Sequence, residues 1–201
     1  MNYQKEMEKI LCSLTYKPRL LLHVCCAPCS SYVLKLLDEY FYISIVYYNP
    51  NITDEVEYNK RKEELKRFVN MKMYQNRINI IDCEYNNLDF FTSVKGLEQE
   101  KEGGKRCYIC YKLRLEYTAR LAQKLGFDFF TTTLSISPYK NACWLNEIGK
   151  DLEQKYSIKY LYADFKKKDG YKKSIELSYK YNLYRQDFCG CIYSIIERRK
   201  K

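Results

Sequence analysis

Five short apolar runs, at residues 19–24, 42–47, 78–81, 128–133 and 158–162, alternate along this chain with stretches of helical periodicity. Each run is too short for a helix and is bounded by turn-forming residues, so each reads as a buried strand. The segments between them space apolar residues three and four apart, as Val33, Leu34, Leu36 and Leu37 do after the first run. Ser30 and Ser31 read as the cap of that helix, and Thr53 starts a charged amphipathic helix reaching Val69. Cys107 opens a long helix ended by Gly126, and further helices follow at 141–156 and 172–181. Parallel strands need crossovers, and crossover helices cover both faces of the sheet. The expectation is an α/β fold, a three-layer parallel sheet in a single domain over 1–201, with 1–18 as an N-terminal extension.

Against this regular background, seven of the ten cysteines fall into three tight groups. They are Cys25, Cys26 and Cys29 after the first strand, Cys107 and Cys110 at a helix start, and Cys189 and Cys191 near the C-terminus. Nothing in residues 1–20 has the apolar core of a signal peptide or the length of a membrane span, so a reducing cytoplasm is the expected compartment. Structural disulfides are disfavoured there, and grouped thiols then point to metal ligation or transient redox pairing.

Cys25 and Cys26 are adjacent, so both reach one centre only from an irregular loop, an arrangement that suits different irons of a cluster. Cys107 and Cys110, three apart on a helix, place both sulfurs on one side. These two pairs supply four thiolates, the donor set of a [4Fe-4S] cluster and equally of a structural zinc ion. Cys189 and Cys191 flank Gly190, too close for a relaxed disulfide, and so suit a labile redox pair or further metal ligands. Cys29 has three open roles: cluster ligand, second-metal ligand or nucleophile. The sole histidine, His23, lies in the buried first strand and reads as a packed residue. Cys12, Cys83 and Cys143 stand alone and read as small buried hydrophobes. The turn Gly103-Gly104-Lys105-Arg106 lacks a full phosphate-loop pattern and reads as a solvated loop. The C-terminal Arg198-Arg199-Lys200-Lys201 reads as a frayed basic tail.

The net charge is +10, with 22 tyrosines. Basic charge with aromatic faces suits a looped or single-stranded RNA, although compositional bias accounts for it equally well.

The motifs His23-Val-Cys-Cys-Ala-Pro-Cys29, Tyr47-Tyr-Asn-Pro-Asn51, Arg106-Cys-Tyr-Ile-Cys110, Thr131-Thr-Thr-Leu-Ser-Ile-Ser-Pro138, Asp164-Phe-Lys-Lys167 and Tyr184-Arg-Gln-Asp-Phe-Cys-Gly-Cys191, taken in this order, resemble the cobalamin-independent epoxyqueuosine reductases of the QueH family. The resemblance covers residues 19 to 196, leaving Met1 to Pro18 unmatched. It implies a nucleotide-hydrolase-like, HUP or Rossmann-like core with a metal centre at the strand C-terminal ends. It also implies an enzyme that removes the epoxide oxygen of epoxyqueuosine at the tRNA wobble position, served by an external electron donor.

Carried over, the resemblance makes Cys25, Cys26, Cys107 and Cys110 the ligands of a [4Fe-4S] cluster. Cys189 and Cys191 become the redox pair or the ligands of a second iron, with Cys29 and Asp164 beside them as candidate catalytic groups. Asp164, Asp187, Tyr184 and bound water are candidate proton donors. Tyr47, Tyr48 and Arg185 are candidate contacts to an unstacked base and its backbone. Two other readings compete. An iron–sulfur tRNA sulfurtransferase needs an ATP-binding Ser-Gly-Gly loop where this chain has Cys-Cys-Ala-Pro-Cys, and a zinc-stabilised RNA-binding module needs no redox chemistry.

Overall fold

The first apolar run forms the central strand. In the computed structural model, which describes residues 1–71 and 74–199, β1 (Arg19–His23) lies parallel to β2 (Tyr42–Val46) on one side and β4 (Phe129–Thr132) on the other. β3 (Asn79–Ile81) and β5 (Lys159–Tyr160) complete the edges, giving the all-parallel order β3-β2-β1-β4-β5. Leu20 pairs with Ile43 and Phe129, and Leu20, Leu21 and Leu22 are fully buried. A strand covered on both faces reads as a continuous apolar run, which is why this one does.

Alternate residues of β1 feed two cores. Leu20, Leu22 and Val24 pack with α2 (Ala27–Leu37), through Val33, Leu34 and Leu37, and with α3 (Glu55–Val69), through Leu65 and Phe68. α7 (Gly170–Lys180) packs on α2. Leu21 faces the opposite layer, α5 (Lys105–Lys124) and α6 (Ala142–Tyr156), with Phe130, Leu115, Ala119 and Leu145. The three-layer α/β architecture expected from the alternation is therefore present.

Several boundaries differ from expectation for local reasons. α2 begins at Ala27, because Pro28 already holds the first-turn backbone angle; Ser30 and Ser31 then lie inside the helix, donating to the carbonyls of Ala27 and Pro28 at 2.9 and 2.8 Å. α3 begins at Glu55, capped by Asp54, whose side chain accepts from the Val56 N–H. Three helices carry too weak a pattern to be read beforehand: α1 (Tyr3–Ser13), α4 (Leu88–Ser93) and α8 (Ile192–Arg199). α1 lies within the unmatched extension and buries Met7 and Leu11 against the α2 layer. Of the basic tail, Lys200 and Lys201 lie outside the described residues. Among the described residues no helix is long and apolar enough to cross a membrane.

The chain steps from β1 outward to β2 and β3, then returns to β4 on the other side of β1. The carboxyl ends of β1 and β4 thus flank a topological switch point, where α/β sheets open a crevice.

Candidate metal centre

The first cysteine group sits at that switch point. Cys25 follows β1 in irregular backbone, Cys26 is the extended residue preceding α2, and Cys29 lies in the first helical turn. The bend lets adjacent side chains converge: the Cys25 and Cys26 sulfurs are 3.8 Å apart, and all three sulfurs lie within 4.8 Å of one another. Hydrogen bonds from Cys26 and Cys29 hold the Cys25 thiol well below its ordinary range, while the same sharing pushes Cys26 up to about 12 and raises Cys29. The free N–H groups of the α2 terminus favour negative charge here.

The other two groups meet each other. Cys107 and Cys110 in the first turns of α5 line a small pocket with Cys189 and Cys191, closed by Phe90, Tyr111, Arg114 and Lys140. The Gly103 N–H donates to Cys107 Sγ at 3.2 Å, and the Ser194 N–H donates to Cys191 Sγ at 3.4 Å. The Gly103-Gly104 turn therefore aims one backbone donor at a thiol, while the Gly104 N–H bonds the Lys101 carbonyl. Lys140 Nζ lies 3.3 Å from Cys189 Sγ. The hydrogen bond from Cys191, then the Lys140 and Arg114 charges, hold Cys189 well below the usual thiol range. Burial pushes Cys110 up to about 11 and raises Cys107.

Both assemblies open on one cleft of about 1270 Å³, whose wall includes Cys25, Cys29, Arg114, Lys140 and Cys189. Four nearly buried cations lie by the thiols: Arg61 (3% exposed), Arg106 (1%), Arg114 (2%) and Lys140 (10% of its side chain). Arg61 donates to the carbonyls of Cys189 and Phe188 and pairs with Glu57 at 2.6 Å. No periodicity or motif marks Arg61 or Lys140, whose contacts are long-range. Arg114 carried a readable signal, one helical turn beyond Cys110. Cys29 carried another, since Cys26-Ala27-Pro28-Cys29 repeats the spacing of Cys107 and Cys110.

Several expected residues fall elsewhere. Tyr47 and Tyr48 are 0% and 5% exposed; Tyr47 packs on Tyr58, and Tyr48 stacks on Tyr117 at 3.8 Å with its hydroxyl on Asp89. Neither ring stands free as a base platform, because the strand ends that carry them lie under α3 and α5. The exposed ring on the cleft wall is Tyr139, 73% accessible. Arg185 does line the cleft. Asp164 is buried against Lys166 at 2.7 Å and is absent from the cleft wall, and the Tyr184 hydroxyl donates to Glu57. Asp187 reaches the cleft, 3.4 Å from Arg198. His23 is fully buried, its Nε2 on the Tyr48 carbonyl at 3.1 Å and its Nδ1 on the Thr132 hydroxyl at 2.8 Å, and burial lowers its pKa to about 4. It packs, as expected. Cys83 is buried, whereas Cys12 and Cys143 are exposed on helix surfaces.

The donor set fits an iron–sulfur group. Seven thiols offer soft ligands, buried cations offset the charge of several thiolates, and the buried Arg114 Nη2 has no acceptor among the described residues.

Known proteins place these features in context. The family model described as epoxyqueuosine reductase QueH matches residues 20–197. The epoxyqueuosine reductase QueH of Streptococcus pyogenes serotype M1 is 40% identical over 96% of this chain and 78% of its own length. That of Thermotoga maritima is 38% identical over 90% of this chain and 92% of its own length. Among solved structures, the U34-tRNA thiolase NcsA from Methanococcus maripaludis, solved with its [4Fe-4S] cluster, shares the fold with a TM-score of 0.57 at 17% identity, over 96% of this chain and 67% of that one. With its first cysteine group at the switch point of a parallel sheet and the other two gathered in one pocket, the chain belongs to the epoxyqueuosine reductase QueH family, a family of oxidoreductases.

Proposed function

We propose that this chain reduces epoxyqueuosine to queuosine in the anticodon loop of tRNA, in the cytoplasm, with an iron–sulfur centre in the cleft. One observation carries the reading: in a chain of this family, Cys25 and Cys29 line the same cleft as Cys189, which also lines the small pocket that holds Cys107, Cys110 and Cys191. In this reading Cys25, Cys26, Cys107 and Cys110 hold a [4Fe-4S] cluster. Cys189 and Cys191, with Cys29 nearby, serve as a dithiol pair or as ligands of a second iron. When bound, such a centre supplies single electrons drawn from an external donor. Converting the epoxide to an alkene takes up two electrons and two protons and releases one water.

The chain's own residues supply position and charge. Arg185 and Arg198 on the cleft wall are placed to meet phosphates of the loop, and the free face of Tyr139 is placed to stack on an unpaired base. Lys140, next along the chain, reaches inward from the Tyr139 turn to Cys189. A base resting on Tyr139 would therefore lie beside the thiol floor. Of the carboxylates considered as proton sources, Asp187 is the one on this wall.

The direct test incubates iron-loaded protein, a chemical reductant and tRNA bearing epoxyqueuosine, followed by mass analysis of the released nucleosides. Loss of one oxygen is expected; an unaltered nucleoside with an intact iron–sulfur chromophore would sink the reading. A colourless, zinc-loaded protein that binds tRNA would favour a binding module instead.

A further inference from the structure

Arg114 stands between the two cysteine assemblies with a donor unused. It lies on α5, one turn beyond Cys110, and its Nε donates to the Cys110 carbonyl at 3.2 Å. The side chain is 2% exposed, and its Nη2 has no hydrogen-bond acceptor among the described residues. No carboxylate pairs with it among those residues. A buried guanidinium with an unpaired N–H is unfavourable unless a counter-charge or acceptor is at hand. The anionic groups whose charge it feels are, in order, the Cys110, Cys189 and Cys25 sulfurs and the Tyr111 phenol. Arg114 also lines both the small thiol pocket and the wide cleft. Lys140 is a second cation lining both spaces, but its ammonium is already engaged, 3.3 Å from Cys189 Sγ and 3.6 Å from the Glu102 carboxylate.

We propose that Arg114 is a positioning residue that joins the two cysteine assemblies into one electrostatic unit and raises the reduction potential of the centre they hold. This rests on reading the site as an iron–sulfur centre. Reduction adds negative charge at the sulfurs, and a fixed cation with an unused N–H in the same pocket favours the reduced state. Lysine keeps the charge but loses the planar fork that spans two directions, so it replaces arginine only in part.

The test uses full-length protein reconstituted anaerobically with iron and sulfide, as wild type, Arg114→Lys, Arg114→Gln and Arg114→Met. Iron and sulfide per chain are measured first, then the midpoint potential by redox titration followed by electron paramagnetic resonance. The neutral variants are expected to move to more negative potential, with a roughly tenfold or greater fall in the reduced-to-oxidised ratio at fixed poise, about 59 mV for a one-electron couple. Arg114→Lys moves the same way by less. A merely structural role would lower metal content or melting temperature while the centres that form keep the wild-type potential, and that result overturns the proposal. Should Met and Gln fail to load, Arg114→Lys decides by the same criterion. A wild-type protein that binds no iron–sulfur centre overturns the functional reading itself, whereas an iron-loaded wild type with unshifted variants overturns this inference alone.

Discussion

Arg61 fixes a loop that lies 128 residues away in sequence. Its guanidinium holds the Cys189 and Phe188 carbonyls, stacks 5.0 Å from the Phe188 ring, and is itself oriented by Glu57. Gly190, between the two cysteines, has φ +102, and a Cβ there would sit 3.1 Å from Ile52. Both features lock one geometry for Cys189 and Cys191. Arg61→Met is expected to cost about 3–5 kcal/mol in chemical denaturation, because it leaves a nearly buried carboxylate without its counter-charge, held only by the Tyr184 hydroxyl, and takes from two carbonyls the donor that holds them. Arg61→Lys should recover part of that, and unchanged stability of the Met variant would refute the role. The sequence made Gly190 legible, since only glycine turns the chain so tightly between two thiols. Arg61 was not legible, because an arginine on an amphipathic helix usually faces water and only the fold brings the Cys189 carbonyl to it. Tyr47 and Tyr48 failed in the opposite direction. Their place at a strand end suggested a rim, but the helices of both layers overhang that strand end.

At the scale of elements, what could be read was what repeats. The strands announced themselves because double-sided burial makes them uniformly apolar, and α5 because its buried stripe runs five turns. α1 buries only Met7 and Leu11 among alternating Lys and Glu, and α4 is six residues long, so neither gives a periodicity to detect. β5, two residues long, depends on α6 for its place. There Gly149 lets the helix approach the Tyr160 ring so closely that a Cβ would sit 2.3 Å from it. That ring is buried, with Phe130 and Tyr162 against it at 5.0 and 5.3 Å. Gly149→Ala therefore pits a helix-propensity gain of about 0.5–1 kcal/mol against an overpacking cost of about 1–3 kcal/mol. A net loss of stability is expected by thermal or urea unfolding, and a gain would show that α6 can shift outward.

For the whole molecule, the net charge of +10 becomes informative only once its placement is known. Many of the basic residues behind it are matched in surface pairs such as Lys66 with Glu63 and Arg67 with Glu64, which add nothing to the net charge and which the sequence could not separate from basic residues left for a partner. Arg185 and Arg198 lie on the cleft wall, and Tyr139 is the exposed ring beside them. The two kinds of contact respond differently to salt. Each phosphate neutralised on a single-stranded segment adds about −0.7 to the slope of log affinity against log salt, while stacking on a ring adds nothing to that slope. Binding of a tRNA anticodon stem-loop, measured by fluorescence anisotropy over a salt series, is therefore expected to separate them. Arg185→Ala and Arg198→Ala should each weaken binding at physiological salt and flatten the slope by about 0.7–1. Tyr139→Ala should cost about 1–3 kcal/mol at every salt concentration and leave the slope unchanged. Unchanged affinity in Arg185→Ala, or a Tyr139→Ala variant that binds like wild type, would move the RNA contact off this cleft wall.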